Sequence, residues 1–388
     1  MTPVVRYNEI KPHGALDLVS LGEVMLRLDP NDYTIEKAPV FRVFQGGGET
    51  NVACGLSYTF NLRTGVVTAL VDDPVGRNIR NQLKAAGVNT DNIRWWNTKN
   101  DGGKYSTDGK GTLHNGINFT DAGRSVRPSE TTYYRANTPA TKMRPEDVDW
   151  DKLFGKEGVR VFNTGGIFTL IGPETADLAI EGAQKAAEYG TLVAADLNYR
   201  SKVQPDRKIA RAINMRIAPH LGILFGNDSD AVDALGEEYK TKIGKNAPFG
   251  EWAGAYTETM RRIAKDFPNL SLIGTQWRGA HGADTISWGG ILYDAITDTA
   301  YVAPLRENVT ILDRTGGGDS FASGVLAKIL KGRGPDQKEP LLQEAVDWGA
   351  AHGILVQGTP GDITMISQGV LEAEVKRAKG GGGVKAVR

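Results

Sequence analysis

The chain has 388 residues, and its 46 Lys plus Arg balance 46 Asp plus Glu, for a formal net charge of zero. That balance leaves no basic footprint for nucleic acid, and no apolar run is long enough to span a bilayer. Hydrophobic residues at 40% and charged residues at 24% suit a soluble globular protein, with one large α/β domain and a smaller appendage or with two domains.

Residues 1–15 read as a loose arm without the apolar core of a signal peptide. Leu16–Leu28 alternates enough for one long first strand, and 29–32 is a turn. Residues 34–44 have strand character that Pro39 confines to an edge. A glycine turn at 45–48 opens a helix reaching Phe60. Its Cys54, the one cysteine, reads as a core thiol, excludes an internal disulfide and fits a reducing cytoplasm. Thr64–Leu70 is a strand, and Arg77–Ala86 a helix stopped by Gly87. This rhythm predicts βαβ units and a largely parallel sheet. Residues 95–136 break it with short antiparallel strands, which together with 33–45 form a small sheet able to close over a ligand and exclude water.

Tyr133 and Arg135 share a strand face, and a phenol beside a guanidinium suits a carboxylate. A packed Tyr and a solvated Arg explain the pair as well. Beyond a strand at 159–166 and a helix at 174–189, the strand Leu192–Asp196 delivers Asn198 and Arg200 at its carboxyl end, where open α/β sheets place ligands. After the strand Leu221–Phe225, Asn227 or Asp228 caps a helix, and Asp230 supplies a carboxylate. Residues 236–255 read as an irregular surface insertion, 272–278 as a strand, and 285–304 as a hairpin. The five histidines show no zinc-type spacing. A helix spans 339–356, and a flexible basic tail begins at Lys379.

Everything converges on Asp313-Arg-Thr-Gly-Gly-Gly-Asp-Ser-Phe321. The β-branched run 308–312 before it reads as a buried strand, and 321–330 after it has helical spacing. Glycines at a helix start let a ligand meet unpartnered N–H groups at the positive end of the dipole. An acid there can take a proton from a hydroxyl while the amides hold negative charge. Asp319 as a simple cap is the structural alternative.

This string resembles the C-terminal signature of the PfkB (ribokinase-like) carbohydrate kinases, and Gly46-Gly47-x-x-x-Asn51 is similar to the family's N-terminal motif. Leu-Gly-Glu-x-Met-x-Arg-Leu at 21–28, Tyr-Tyr-Arg at 133–135 and the Asp-Arg-x-Gly-Gly-Gly-Asp form look like the branch containing 2-keto-3-deoxygluconate kinases. The family more often has Thr at Arg314, Ala at Gly317, Glu at Asp230, Ser-Ala in place of Thr138-Pro139-Ala140, and a Tyr near Asn118. The resemblance covers about 16–370 and implies a ribokinase-like three-layer α/β sandwich, one kinase domain with a central mostly parallel sheet and a small β-sheet lid. It implies transfer of phosphate from ATP, with Mg2+, to a sugar acid.

In that reading Asp319 is the catalytic base, and Gly316, Gly317 and Gly318 supply the anion-hole amides. Gly46, Gly47, Asn51, Tyr133, Arg135 and Arg200 contact the substrate. Asn198, Asn227, Thr275, Arg278, Gly279, Gly318 and His352 contact ATP, although a tight helix contact explains the small residues around His352 equally. Asp313 acts near magnesium, with Asp230 reaching it through water. A homo-oligomer paired through the lid is a further implication. No P-loop or dinucleotide fingerprint is present. A kinase of fructose, ribose or a nucleoside, and a non-catalytic sugar-binding protein, are the alternatives.

Overall fold

The runs at 16–21, 64–71, 159–165 and 192–196 are buried along nearly their whole length, as strands covered on both faces are. In chain order the strands are β1 (Leu16–Leu21), β2 (Met25–Asp29), β3 (Arg42–Gly46), β4 (Thr64–Val71), β5 (Ile93–Trp96), β6 (Ile117–Asp121), β7 (Glu130–Tyr134), β8 (Val159–Gly165), β9 (Leu192–Asp196), β10 (Ile223–Phe225), β11 (Leu272–Ala280), β12 (Thr285–Asp294), β13 (Thr299–Val302) and β14 (Arg306–Thr310). The helices are α1 (Gly48–Phe60), α2 (Pro74–Ala85), α3 (Gly166–Leu170), α4 (Pro173–Glu188), α5 (Arg207–Ile217), α6 (Asp228–Asp230), α7 (Phe249–Asp266), α8 (Gly317–Lys331), α9 (Leu341–Val356) and α10 (Gln368–Ala378). The computed structural model describes residues 4–97, 113–244, 247–332 and 341–380.

The central sheet runs β13-β12-β11-β10-β9-β8-β1-β4-β5, with β14 also paired to β12. It is parallel from β5 to β11 and antiparallel beyond. Successive residues face opposite layers. Val19 and Leu21 join a core with α4, α5 and α7, while Leu18 joins one with α1, α2, α8 and α9. The result is the expected three-layer sandwich. Gly324 and Gly349 let α8 and α9 touch, because a Cβ on Gly324 would lie 2.6 Å from the Trp348 carbonyl oxygen. The small-residue face of α9 therefore serves a helix contact. No described helix is long and apolar enough to cross a membrane.

A second sheet, β3-β2-β6-β7, stands over one end of the first. The expected long first strand is two strands. The chain leaves the central sheet after Leu21 and enters the lid at Met25. Gly22 lies at that break, and any Cβ there would meet the Glu49 carboxylate at 2.4 Å. Residues 33–45 are a short 3-10 turn followed by β3, which is an edge strand as Pro39 predicts. Trp95 and Trp96 belong to β5 of the central sheet rather than to the lid.

Three other expectations change. The run before the glycine motif is an edge strand with Glu307, Asn308 and Thr310 exposed, because only alternate residues Val309 and Ile311 pack, against Ile286, Trp288 and Ile354. The supposed insertion contains a 3-10 turn and the start of α7, whose Phe249, Trp252, Tyr256, Met260 and Ile263 form a buried stripe. At the tail, Lys379 is anchored to Asp347 at 2.7 Å, and 381–388 lie outside the described residues.

Candidate active site

Strands on either side of β1 continue in opposite directions along the sheet, and β1, β8, β9 and β10 deliver loops to one carboxyl edge. Ligands bind at such reversals. A cleft of about 1570 Å³ lies there, lined on the lid side by Met25, Asn118, Thr120, Thr131 and Tyr133.

The glycine motif forms one wall. Gly316 has φ +78° and caps α8, and Gly316, Gly317 and Gly318 all line the cleft. The left-handed residue turns the chain sharply enough for the helix to begin at once. Asp319 follows in the first turn, its carboxylate accepting from Asn51 Nδ2 at 2.8 Å. Burial pushes Asp319 up to about 6, against the lowering effect of that hydrogen bond, and Asp362 adds to the rise. Asn51 comes from α1, whose start at Gly47 and Gly48 is bare. A Cβ on Gly48 would lie 3.5 Å from Asp319 Oδ1. The two glycine motifs, some 270 residues apart in sequence, thus meet at one carboxylate.

Asp362 explains why both turns lack side chains. A Cβ on Gly46 would lie 2.2 Å from its Oδ2, and one on Gly316 would lie 2.0 Å from its carbonyl oxygen. Arg27 of lid strand β2 holds it in place, with Nη1 2.5 Å from Asp362 Oδ1 and Nη2 2.5 Å from Asp313 Oδ2. Arg27 is 1% exposed, and Asp29 stands 3.3 Å from the same Nη2. Burial disfavours its charge, but Asp362 and Asp313 outweigh that and hold the guanidinium firmly protonated. Asp313 also accepts the Gly361 and Thr315 amides. It is therefore committed to Arg27 and the loop backbone and does not line the cleft, contrary to a place beside magnesium.

At the lid end, Tyr133 and Arg135 both line the cleft, with the guanidinium 5.6 Å from the ring centroid. Arg135 is not free, since its Nη2 donates to Glu23, which also accepts from Thr138. Its Nε has no partner among the described residues. Arg200 lies exposed at the rim and donates to the Tyr199 carbonyl at 2.8 Å.

On the opposite side Asn198, Asn227, Arg278 and Gly279 line the cleft. Asn227 uses its Oδ1 to cap α6, accepting from Ser229 and Asp230 amides at 2.9 Å each. Asp230 accepts the Tyr199 and Asn227 amides, one on each oxygen. Burial, and then the charge of Asp196, pushes Asp230 up to about 7, and burial with Asp319 pushes Asp196 up to about 6. Thr275 and His352 do not line the cleft. Thr275 is fully buried in β11. His352 is fully buried between helices, bonded to Ser323 Oγ (2.8 Å) and the Ser320 carbonyl (3.0 Å), and burial lowers it to about 4. It is a neutral core histidine.

Sequence reasoning missed Glu23, Glu49, Arg314 and Asp362 as members of this cleft, and placed Asp196 at its strand end without giving it a role. Glu49 is 5% exposed and pushed up to about 8, chiefly by burial. Its place in the second position of a helix opened by glycines was a usable signal. Asp362 gave none, because only folding brings it between the two motifs. Among the described residues, no group of three or more His, Cys, Asp or Glu side chains is placed to hold a metal ion.

The pattern of the pfkB family carbohydrate kinases matches residues 15–368. The 2-dehydro-3-deoxygalactonokinase of Haloferax volcanii is 28% identical over 367 residues, covering 94% of this chain and 97% of that protein. A 5-dehydro-2-deoxygluconokinase of Shouchella clausii is 25% identical over 325 residues, covering 83% and 85%. The crystal structure of 2-dehydro-3-deoxygluconokinase from Thermotoga maritima superposes with a TM-score of 0.81 at 27% identity, covering 93% of this chain and 99% of that one.

Replacing Gly316 by Ala forces a side chain into the left-handed region, costing roughly 1–2 kcal/mol, and drives it into Asp362. A lower melting temperature and a turnover loss on the order of 10²-fold are expected. Wild-type turnover in G316A would show that these amides are not held for the reaction.

Proposed function

Because the chain belongs to the pfkB family of carbohydrate kinases, phosphotransferases that act on an alcohol group, we propose that it passes the γ-phosphoryl group of ATP to 2-keto-3-deoxygluconate, giving 2-keto-3-deoxy-6-phosphogluconate. The observation that carries this is Asp319, bound by Asn51 at the amide-lined start of α8, in a cleft whose lid presents Arg135 over Tyr133. The names of two relatives, kinases of 2-dehydro-3-deoxy sugar acids, support the substrate class.

Asp319 takes the proton of the attacking hydroxyl as the new O–P bond forms. The bond from the γ-phosphorus to the β,γ-bridging oxygen breaks, and ADP leaves with its electron pair. The Gly316–Gly318 amides face the negative charge on the transferred group. Gly46, Gly47 and Asn51 hold the sugar. Arg135 offers its free Nε edge to the carboxylate, Arg200 adds charge at the rim, and Asn198, Asn227, Arg278 and Gly279 face the nucleotide. Magnesium fits near Asp196 and Asp230, because burial and neighbouring acids keep both carboxylates raised even with Arg200 nearby. With both its oxygens on backbone amides, Asp230 would act through water. Bound there, the ion would neutralise phosphate charge.

The Glu23–Arg135 pair favours a second reading, a kinase of a neutral sugar such as fructose or ribose, since the cation is already half satisfied. ADP release should be followed with 2-keto-3-deoxygluconate, 2-keto-3-deoxygalactonate, fructose, ribose and adenosine. Turnover confined to the keto-acids, with R135A raising their KM by roughly 10-fold or more, is expected. Turnover on neutral sugars, unchanged in R135A, sinks the acid assignment.

As a base, Asp319 must be ionised, so kcat/KM should rise with pH through about 6 and level above it. D319N should lose on the order of 10²–10⁴ in rate. Retained turnover in D319N would remove it from the role.

We further propose that the lid pairs between two copies. Its outer face carries Val43, Phe119 and Tyr134, with Val43 43% and Tyr134 57% exposed. Light scattering should give a dimer mass that V43E or Y134E reduces to a monomer. A monomeric wild type excludes the pairing.

A further inference from the structure

Five arginines line the cleft: Arg135, Arg200, Arg207, Arg278 and Arg314. Arg135 pairs with Glu23, and Arg207 with Asp233 at 2.8 Å. Among the described residues the other three make no ion pair. Arg200 stands in the field of Asp196, Asp230 and Asp319, and steadies all three. Arg278 and Arg314 instead feel each other, and Arg278 is held below its ordinary value by desolvation and then by the like charge of Arg314.

Both flank the first amides of α8. Alternate residues of a strand share a face. Gln276 Nε2 stands 3.2 Å from the Cβ position of Gly318, and Arg278 follows it on the same face of β11. Arg314 lies two residues ahead of Gly316. Its Nη1 donates to Ser129 of the lid at 3.3 Å, and its Nε is buried without a partner among the described residues. Two guanidiniums without a counter-charge, beside the positive end of a helix, repel each other until an anion bridges them. A phosphoryl group with three oxygens matches their fork geometry.

We propose that Arg314, together with Arg278, grips the terminal phosphoryl group of the nucleotide, so that Arg314 makes this cleft prefer a triphosphate to a diphosphate. The proposal rests on the kinase reading above and adds a residue to its donor side.

The test is calorimetric titration of the full chain, with magnesium, using the β,γ-imido analogue of ATP and, separately, ADP. In R314A the analogue should bind roughly 10–100-fold more weakly, with ADP within about twofold of wild type. R314K keeps the charge without the fork and should recover part of the loss. S129A removes only the lid contact and should leave both affinities near wild type. Equal losses for the two nucleotides in R314A, or none for either, overturn the proposal. So does an S129A that reproduces the R314A pattern, which would make the effect one of lid placement. Failure of the kinase reading is seen separately, as a wild-type chain that binds neither nucleotide and releases no ADP with any substrate.

Discussion

The Arg27 guanidinium, buried among Asp29, Asp313 and Asp362, is the contact on which the site's geometry depends. It joins three parts of the chain: lid strand β2, the turn before α8, and the loop after α9. Desolvating such a cluster is expensive, and ion pairs of this kind often add little net stability compared with an apolar core. Removing one partner is another matter, since a buried charge left unpaired costs roughly 3–5 kcal/mol. The cluster therefore specifies position more than it stabilises. It places Asp362 against Gly46 on one side and Gly316 on the other, and both turns can accept it only without a side chain.

Charge in the cleft is unevenly satisfied. Asp319, Asp196, Asp230 and Glu49 are all raised, with burial the first cause in each, while Arg278 feels the like charge of Arg314 and, among the described residues, neither pairs with an acid. A structure optimised only for stability would pair these groups. Separated acids and cations in one cleft suit a ligand that brings both a cation and an anion, as a metal–nucleotide complex does. The lid shares in this arrangement, since Glu23, Arg135 and Tyr133 line one end of the cleft and Ser129 meets Arg314.

Much of this was legible in the residues. The strand–helix rhythm carried the α/β class, the glycine-opened helix with Asp319 marked the acid end of the site, and the family resemblance brought Asn51 to it. Other readings failed for local reasons. The run at 308–312 looked buried because β-branched residues favour both central and edge strands. His352 resembled a ligand-facing residue because small neighbours serve a helix contact and a ligand contact alike. Asp313 was placed near magnesium by the family resemblance alone, and the sequence does not show the arginine that neutralises it.

Spacing alone determined a largely parallel α/β sheet, a small second sheet and an acid at a glycine-opened helix, because these depend on periodicity and on backbone freedom at particular positions; the three-layer sandwich and the meeting of two glycine motifs came from the family resemblance. Tertiary structure alone decided which charges are spoken for. Arg27 meets Asp362 across 335 positions, and Glu23 meets Arg135 across 112. Such partners are chosen by where strands and loops come to lie in space, and no local pattern records them.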